Sequence, residues 1–236
     1  KMNSVTVDVG DGTLASSTRD TVLNSLSVNA MLIGSELIQF VTATLVTAGI
    51  YTLTGLLRGG RGTEWAMTGH APSERCVLVR GAGLRRVLVE NSNLGISRYY
   101  KGVTAGRALS TATGEAFTDN AIGLKPFSPF DLRATRDGSN NITFTWQRRS
   151  RLSVRMIGAL GISVPLGEES EAYDVQIYAS SAYATLKRTI TATTTTCSYT
   201  AAQQTTDFGS TQATVYARVY QRSAVVGLGY KLEAAA

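Results

Sequence analysis

Short segments in which apolar and polar residues alternate dominate the chain. The first reads S-V-T-V-D-V over residues 4–9, which has the period of two that is typical of a half-buried strand. β-branched and aromatic residues fill similar segments, and no long stretch shows a 3.6-residue period, so the pattern favours strands over helices. Thr47-Ala48-Gly49 separates two of these segments and predicts a hairpin turn. Before residue 125 the predicted strands are 4–9, 27–33, 37–46, 50–57, 76–80, 85–90 and 97–104.

A boundary is predicted near Pro126 and Pro129, because two prolines in a short span disfavour regular structure and suit a linker. The pattern then continues with alternating segments such as I-T-F-T-W at residues 142–146. The predicted strands of this half are 130–135, 142–146, 173–178, 188–193, 196–199, 213–220 and a short last strand after Gly227-Leu228-Gly229. About seven short strands in roughly 110 residues are typical of a β-sandwich. The sequence therefore predicts an all-β chain with a β-rich domain over residues 1–125 and a sandwich over residues 126–236.

Composition excludes several kinds of site. Hydrophobic residues make up 43% of the chain and charged residues 17%, which is the range of globular proteins. There is one His, so no site can use two histidines, and Cys76 and Cys197 are too far apart in sequence for a CxxC metal or redox motif. Two free thiols are favoured over one disulfide, because nothing else suggests a disulfide scaffold. No apolar run approaches the roughly 20 residues of a membrane-spanning helix, and no cofactor or metal is expected.

The net charge of +6 does not predict nucleic-acid binding. Residues 1–125 carry 12 basic and 9 acidic side chains, and residues 126–236 carry 11 and 8, so each half has a charge of +3. A nucleic-acid surface concentrates Lys and Arg on one face instead. The only dense basic run is Arg148, Arg149, Arg151 and Arg155. Arginine suits fixed, hydrogen-bonded contacts in protein interfaces.

The second half resembles a fibronectin type III domain. The residues that carry this resemblance are Pro129-Phe130-Asp131-Leu132, the strand that ends at Trp146, the strand 173–178, and Tyr216-Ala217-Arg218-Val219-Tyr220 followed by Gly227-Leu228-Gly229. The resemblance implies that Trp146 fills the core between two sheets.

A second resemblance covers most of the chain, from about Val28 to Gly229. Its most specific block is residues 55–64, G-L-L-R-G-G-R-G-T-E, and W-Q-R-R-S-R at 146–151 and V-P-L-G-E-E-S-E-A-Y at 164–173 also match. These blocks are similar to the C-terminal part of the large tail-tip proteins of phages and gene transfer agents, the baseplate hub or "megatron" proteins. One departure from that family is the apolar connection at residues 152–162.

This resemblance implies a non-catalytic structural and host-recognition module of a virion tail tip, assembled in the bacterial cytoplasm. It implies other tail and baseplate proteins as partners, a homotrimer in the particle, and a host-surface glycan or protein as a further partner. The chain is then expected to be a fragment of a longer protein, with Lys231-Leu232-Glu233-Ala234-Ala235-Ala236 as a cloning remnant. The residues expected to contact partners are Arg58, Arg61, Arg148, Arg149, Arg151, Met156 and Ile157.

Three local motifs allow a chemical and a structural interpretation. The glycine-rich loop at residues 55–63 lacks the Lys of a phosphate loop, so a tight connection with Arg58 and Arg61 bonded to carbonyls or Glu64 is favoured. His70 could be a general base beside Ser73 or Glu74, but a structural role is favoured. Glu168, Glu169 and Glu171 could bind calcium, but ion pairs with Arg148, Arg149 or Arg151 are preferred.

Two other functions stay open. The Thr-rich strand at 191–196 and an aromatic set could form a carbohydrate-binding surface for host glycan, although solvated and half-buried sheet residues explain the same pattern. The aromatic set is Tyr99, Tyr100, Tyr178, Tyr183, Tyr216 and Tyr220. A hydrolase would need a convergent acid and base in a pocket, and the sequence shows no recognisable frame for one.

Overall fold

The computed structural model of the chain describes residues 3–25, 27–79, 87–152 and 164–235. Within these ranges the chain forms antiparallel sheets and two short α-helices. The strands are β1 (Ser4–Asp8), β2 (Ala30–Ile33), β3 (Glu36–Gln39), β4 (Thr42–Thr47), β5 (Ile50–Thr54), β6 (Cys76–Leu78), β7 (Ser97–Tyr100), β8 (Glu115–Thr118), β9 (Phe130–Arg136), β10 (Ile142–Gln147), β11 (Tyr173–Tyr178), β12 (Leu186–Ala192), β13 (Thr196–Tyr199), β14 (Tyr216–Ser223) and β15 (Gly227–Ala235). The helices are α1 (Arg19–Leu23) and α2 (Ala201–Phe208).

Two three-stranded sheets that share one core form the first unit, within residues 3–79. One sheet has the order β1-β5-β4 and the other β3-β2-β6. Alternation along the strands directs one row of side chains inward, so Val7 and Leu53 of the first sheet pack in one buried cluster with Met31 and Ile38 of the second. The predicted β4–β5 hairpin is confirmed. Its turn needs Gly49, which has φ 75° and whose Cβ would lie 2.3 Å from a backbone oxygen.

An arm at residues 87–120 follows the first unit. Within it β7 and β8 pair as a two-stranded antiparallel hairpin. No residue of the arm is buried, and no third strand pairs with the hairpin in the described part of the chain. The arm therefore lacks a hydrophobic core of its own.

The second unit, residues 130–235, is a β-sandwich. A sheet with the order β13-β10-β9 and a sheet with the order β12-β11-β14-β15 share one buried cluster. This arrangement of seven strands is that of a fibronectin type III domain. Trp146 is 2% exposed and contacts Tyr173 edge to face, with ring centroids 5.2 Å apart. The expectation that this Trp fills the core between two sheets is confirmed.

The all-β fold class is confirmed, with differences in single elements. The predicted strand 85–90 is wrong for the described residues 87–90, which form no strand. Residues 37–46 form parts of two strands, because the chain leaves the second sheet after Gln39 and joins the first at Thr42. Both α-helices were missed. The predicted boundary near residue 125 lies between the arm and β9.

Candidate functional site

A buried carboxylate organises the glycine-rich loop of the first unit. Glu36 begins β3, and its side chain is 1% exposed. Arg58 donates from Nε to Glu36 Oε1 at 2.7 Å and from Nη2 to Oε2 at 2.5 Å, while the Gly59 N–H donates to Oε1 at 2.7 Å. Two parallel bonds from one guanidinium fix both distance and angle. Arg58 Nη2 also donates to the Met67 carbonyl at 2.8 Å, so the loop is fastened at both ends.

His70 lies between two carboxylates. Its Nε2 is 2.8 Å from Glu36 Oε2, and its Nδ1 is 2.5 Å from Glu74 Oε2. A neutral imidazole has only one N–H, so both contacts are satisfied as hydrogen bonds only when the ring is protonated. The hydrogen bonds to Glu74 and Glu36 raise the pKa of His70 above its ordinary value, against the opposing effect of burial. We call Glu36, Arg58, His70 and Glu74 the Glu36 cluster.

Competing effects set the charge of Glu36. Burial acts to raise the pKa of this carboxyl, but the hydrogen bonds from Arg58, Gly59 and His70 outweigh it, so the pKa lies below its ordinary value. Hydrogen bonding to Glu36 in turn raises the pKa of Arg58. The cluster therefore holds charged partners that compensate one another, which is the condition under which buried charges are tolerated.

This geometry favours the structural interpretation of the glycine-rich loop and of His70. A protonated imidazole with both nitrogens in hydrogen bonds has no lone pair for general-base catalysis. The guanidinium of Arg58 is bonded to Glu36 and is not free to bind an anionic ligand. Of the two predicted kinds of partner, Arg58 bonds a backbone carbonyl, that of Met67, and not Glu64. Among the described residues no group of three His, Cys, Asp or Glu side chains could hold a metal ion.

The same loop contacts the second unit. Glu64 forms an ion pair with Arg149 Nη2, and Trp65 stacks on Tyr230 of β15 with ring centroids 5.7 Å apart. Gly62 has φ 83°, and a Cβ there would lie 2.3 Å from the Phe127 ring. Only glycine fits this contact, because it combines a left-handed backbone with close approach. We call these contacts the junction; its members are Gly62, Glu64, Trp65, Phe127, Arg149 and Tyr230.

Arg148 and Arg151 of the dense arginine run brace the sandwich itself, and Arg155 lies outside the described residues. Arg148 donates to Glu171 Oε1 at 2.9 Å and to the Val164 carbonyl at 2.8 Å. Arg151 donates to Glu168 Oε1 at 2.9 Å and to the Gly167 carbonyl at 3.1 Å. The predicted pairing of this acidic cluster with the arginine run is confirmed for Arg148 and Arg151.

The two arginine-containing loops thus meet through Arg149, whose partner comes from the first unit. The guanidinium of Arg149 also lies 5.3 Å from the centre of the Phe127 ring, within the range of a cation–π contact. Arg61 belongs to the same loop as Glu64 and has a left-handed backbone with φ 53°. Met156 and Ile157 lie outside the described residues. Sequence reasoning missed Glu36, Trp65 and Tyr230, because their partners are distant in the chain.

The tyrosines do not form one platform. Tyr178 and Tyr183 contact each other edge to face at 5.4 Å, and the guanidinium of Arg218 lies 4.8 and 4.7 Å from their ring centres. Arg218 thus occupies surface that a sugar ring would need. Tyr99 and Tyr100 lie apart from this group, on the arm, and are 77% and 42% exposed.

Residues 1–77 match the family model described as Rcc01698-like, C-terminal. This match ends within β6, the last strand of the first unit. No curated protein matches the sequence. Among solved structures, domains d3–d4 of the rat CD45 extracellular region match with 15% identity, 72% of this chain and 78% of that chain covered, and a TM-score of 0.33. The strand order described above identifies the fold of the second unit. No described helix has the length and apolarity needed to cross a membrane.

Proposed function

We propose that this chain is a non-catalytic structural module of a phage-like tail tip, which holds two β units in a fixed relation and presents surfaces to neighbouring tail proteins and to the host. The junction is the observation that carries this proposal. A spacer must resist bending between its units. Here an ion pair and a ring stack join the two units, and Gly62 packs the first unit against Phe127, which lies just before β9. The family model that matches residues 1–77 supports the proposal. The matched residues include the G-L-L-R-G-G-R-G-T-E block at 55–64, which is the most specific part of the resemblance to tail-tip proteins.

The chemistry of the Glu36 cluster agrees with a structural role. Its carboxylate is buried and fully hydrogen-bonded, and its imidazole is held at both nitrogens. Such a cluster fixes the loop that carries Glu64 and Trp65 to the second unit. In this proposal Arg61, which is exposed on that loop, is a contact for another tail protein, whereas Arg58, Arg148 and Arg151 act by holding loops in place.

Deletion of the coding region in the parent gene of a particle-producing strain tests the proposal. Electron cryomicroscopy of the purified particles should show density missing at the distal end of the tail, with heads and tail tubes unchanged. Complementation with the Glu64→Arg chain should restore the tip poorly, because two cations would then face each other in the junction. The Arg133→Gln chain is the matched control, since the ion-pair partner of Arg133 among the described residues is Asp131 of the same strand and Arg133 is 72% exposed.

A complete tip in particles that lack this chain would contradict the proposal. Release of reducing sugar from host envelope polysaccharide by the purified chain would contradict its non-catalytic part. Binding to a glycan array without such release would instead support the recognition role, and loss of that binding in the Tyr99→Ala chain would assign it to the arm.

A further inference from the structure

The contacts within the described chain do not account for the stability of the arm. An isolated two-stranded hairpin is marginally stable in water and normally needs a third strand or a packed face. Here neither is present in the described chain, and none of residues 87–120 is buried. Leu88 is 94% exposed and Phe117 58%. Exposed apolar surface of this kind marks a contact site in a soluble protein.

One face of the hairpin combines two aromatic rings with two opposite charges. Arg98 lies opposite Phe117 in the ladder, and Tyr100 lies opposite Glu115, so all four side chains share one face. The rings of Tyr100 and Phe117 contact each other edge to face with centroids 6.2 Å apart. A groove of about 320 Å³ borders this face and is lined by Leu88, Ile96, Arg98, Tyr100, Phe117 and Asp119, among others.

The charges on this face match the same face of another copy. Arg98 and Glu115 occupy diagonally opposite corners, with the two rings between them. A two-fold axis that bisects the line between these corners places each Arg98 over the Glu115 of the other copy and each ring near its own counterpart. Arg98 Nη2 donates to Asn93 Oδ1 at 2.5 Å, and the Glu115 carboxylate accepts no hydrogen bond from a described residue. The described arm as a whole has three basic and three acidic residues, so two arms do not repel each other.

We propose that the arm is a self-association surface, which binds the same face of the arm in a second copy of this chain. A face that matches itself produces a two-fold pair, whereas a threefold ring needs two different faces. The proposal therefore does not depend on the proposed function or on the homotrimer that the sequence resemblance implies. Aromatic side chains bury about 150–250 Å² each, so the exposed parts of Tyr100 and Phe117 supply about 200 Å². A standard interface uses about 800 Å² per partner, so the association is weak and depends on concentration.

Sedimentation velocity of the whole chain over a wide concentration range provides the test. The wild type should shift from one copy to two as concentration rises, and Phe117→Ser should weaken this association at least tenfold. Leu45→Ser is the matched control, because Leu45 is 59% exposed on β4, away from the arm. The arm contributes nothing to either hydrophobic core, so the variants should keep the circular dichroism spectrum of the wild type.

Charge reversal tests the two-fold geometry. Arg98→Glu alone and Glu115→Arg alone should each remain single copies, since each would place like charges together twice. An equimolar mixture of the two variants should form pairs again, because every contact in the mixed pair joins opposite charges. A wild type that stays a single copy at all concentrations would overturn the proposal. So would association that Phe117→Ser leaves unchanged, or a mixture that fails to associate.

Discussion

Trp65 of the first unit stacks on Tyr230 of the second, with ring planes 19° apart. The pair lies beside the Glu64–Arg149 ion pair, so two independent contacts join the units at one place. Neither contact is deeply buried: Trp65 is 51% exposed, and the side chains of Glu64 and Arg149 are 39% and 33% exposed. The junction therefore acts through several modest interactions, and its parts can be measured separately.

The ring stack should couple the unfolding of the two units. Aromatic pairs contribute about 0.5–1.5 kcal/mol beyond burial, so Trp65→Ala should lower the free energy of unfolding by about 1–2 kcal/mol. Calorimetry should then show a larger difference between the melting temperatures of the two units than in the wild type. Small-angle X-ray scattering should show a larger radius of gyration. Unchanged thermograms would show that the stack does not connect the units. Leu45→Ala, which removes an exposed side chain remote from the junction, is the control.

The ion pair of the junction should contribute less than the stack. A double-mutant cycle with Glu64→Gln and Arg149→Gln should give a coupling energy of about 0–1 kcal/mol, as for other partly exposed pairs, and added salt should reduce it. Chemical denaturation of the four chains measures this energy. A coupling energy of several kcal/mol would mean that the pair is desolvated in solution.

Glu36→Gln should destabilise the first unit far more strongly. The substitution removes a buried charge on which Arg58 and His70 both depend, and breaking a buried ion pair costs about 3–5 kcal/mol. Urea denaturation followed by circular dichroism measures the loss. Glu74→Gln is the matched control, because Glu74 is 30% exposed and bonds His70 at Nδ1, the nitrogen that does not contact Glu36. Equal losses in the two variants would contradict the central role of Glu36.

The stability of the first unit should depend on pH through the Glu36 cluster. The folded pKa of His70 is raised above 6.5, so the stability it contributes is complete below pH 6.5 and is lost as pH rises through the folded pKa. The folded pKa of Glu36 is lowered below 4.5, so its contribution is complete above pH 4.5 and is lost as pH falls through the folded pKa. The contribution of the cluster should therefore be largest between about pH 4.5 and 6.5.

His70 is the only histidine of the chain, so NMR can follow its titration without assignment of other imidazoles. Among the described residues the charged groups that contact it are Glu36 and Glu74, and Arg58 bonds Glu36 in turn. We expect a pKa above 6.5 that falls in Glu74→Gln and in Glu36→Gln. A pKa at or below 6.5 in the wild type would show that the two carboxylates do not hold the ring.

Local patterns in the sequence predicted most of the strands but only part of the site. The fibronectin resemblance correctly placed Trp146 in the core, and the nearness of the acidic cluster to the arginine run correctly predicted ion pairs between them, which form as Arg148–Glu171 and Arg151–Glu168. These partners are separated by a single connection. The Glu64–Arg149 pair joins residues 85 positions apart, and no local pattern specifies which of several arginines meets a given carboxylate across two units.

Helix α2 was missed although the sequence carries a signal for it. Thr200 and Gln203 form a capping box, in which the Thr200 side chain accepts from the Gln203 N–H and the Gln203 side chain accepts from the Thr200 N–H. This T-x-x-Q spacing predicts a helix start. The Thr-rich run that precedes it has high strand propensity and obscured the change of period. The strand signal ends at Tyr199, whereas the capping-box signal of Thr200 and Gln203 lies after it and marks the start of α2.

Gln204 in α2 should be as important as a core residue, because it is fully buried and hydrogen-bonded on both sides. Its Nε2 donates to the Asn140 carbonyl at 2.8 Å, and its Oε1 accepts from the Gln212 N–H at 3.1 Å. Gln204→Leu keeps most of the volume but leaves these backbone groups without their partner, which costs about 1–3 kcal/mol for each group. Gln203→Leu, on the capping box, should cost only about 1 kcal/mol. Urea denaturation of both variants measures the difference, and equal losses would show that α2 is held by its cap rather than by Gln204.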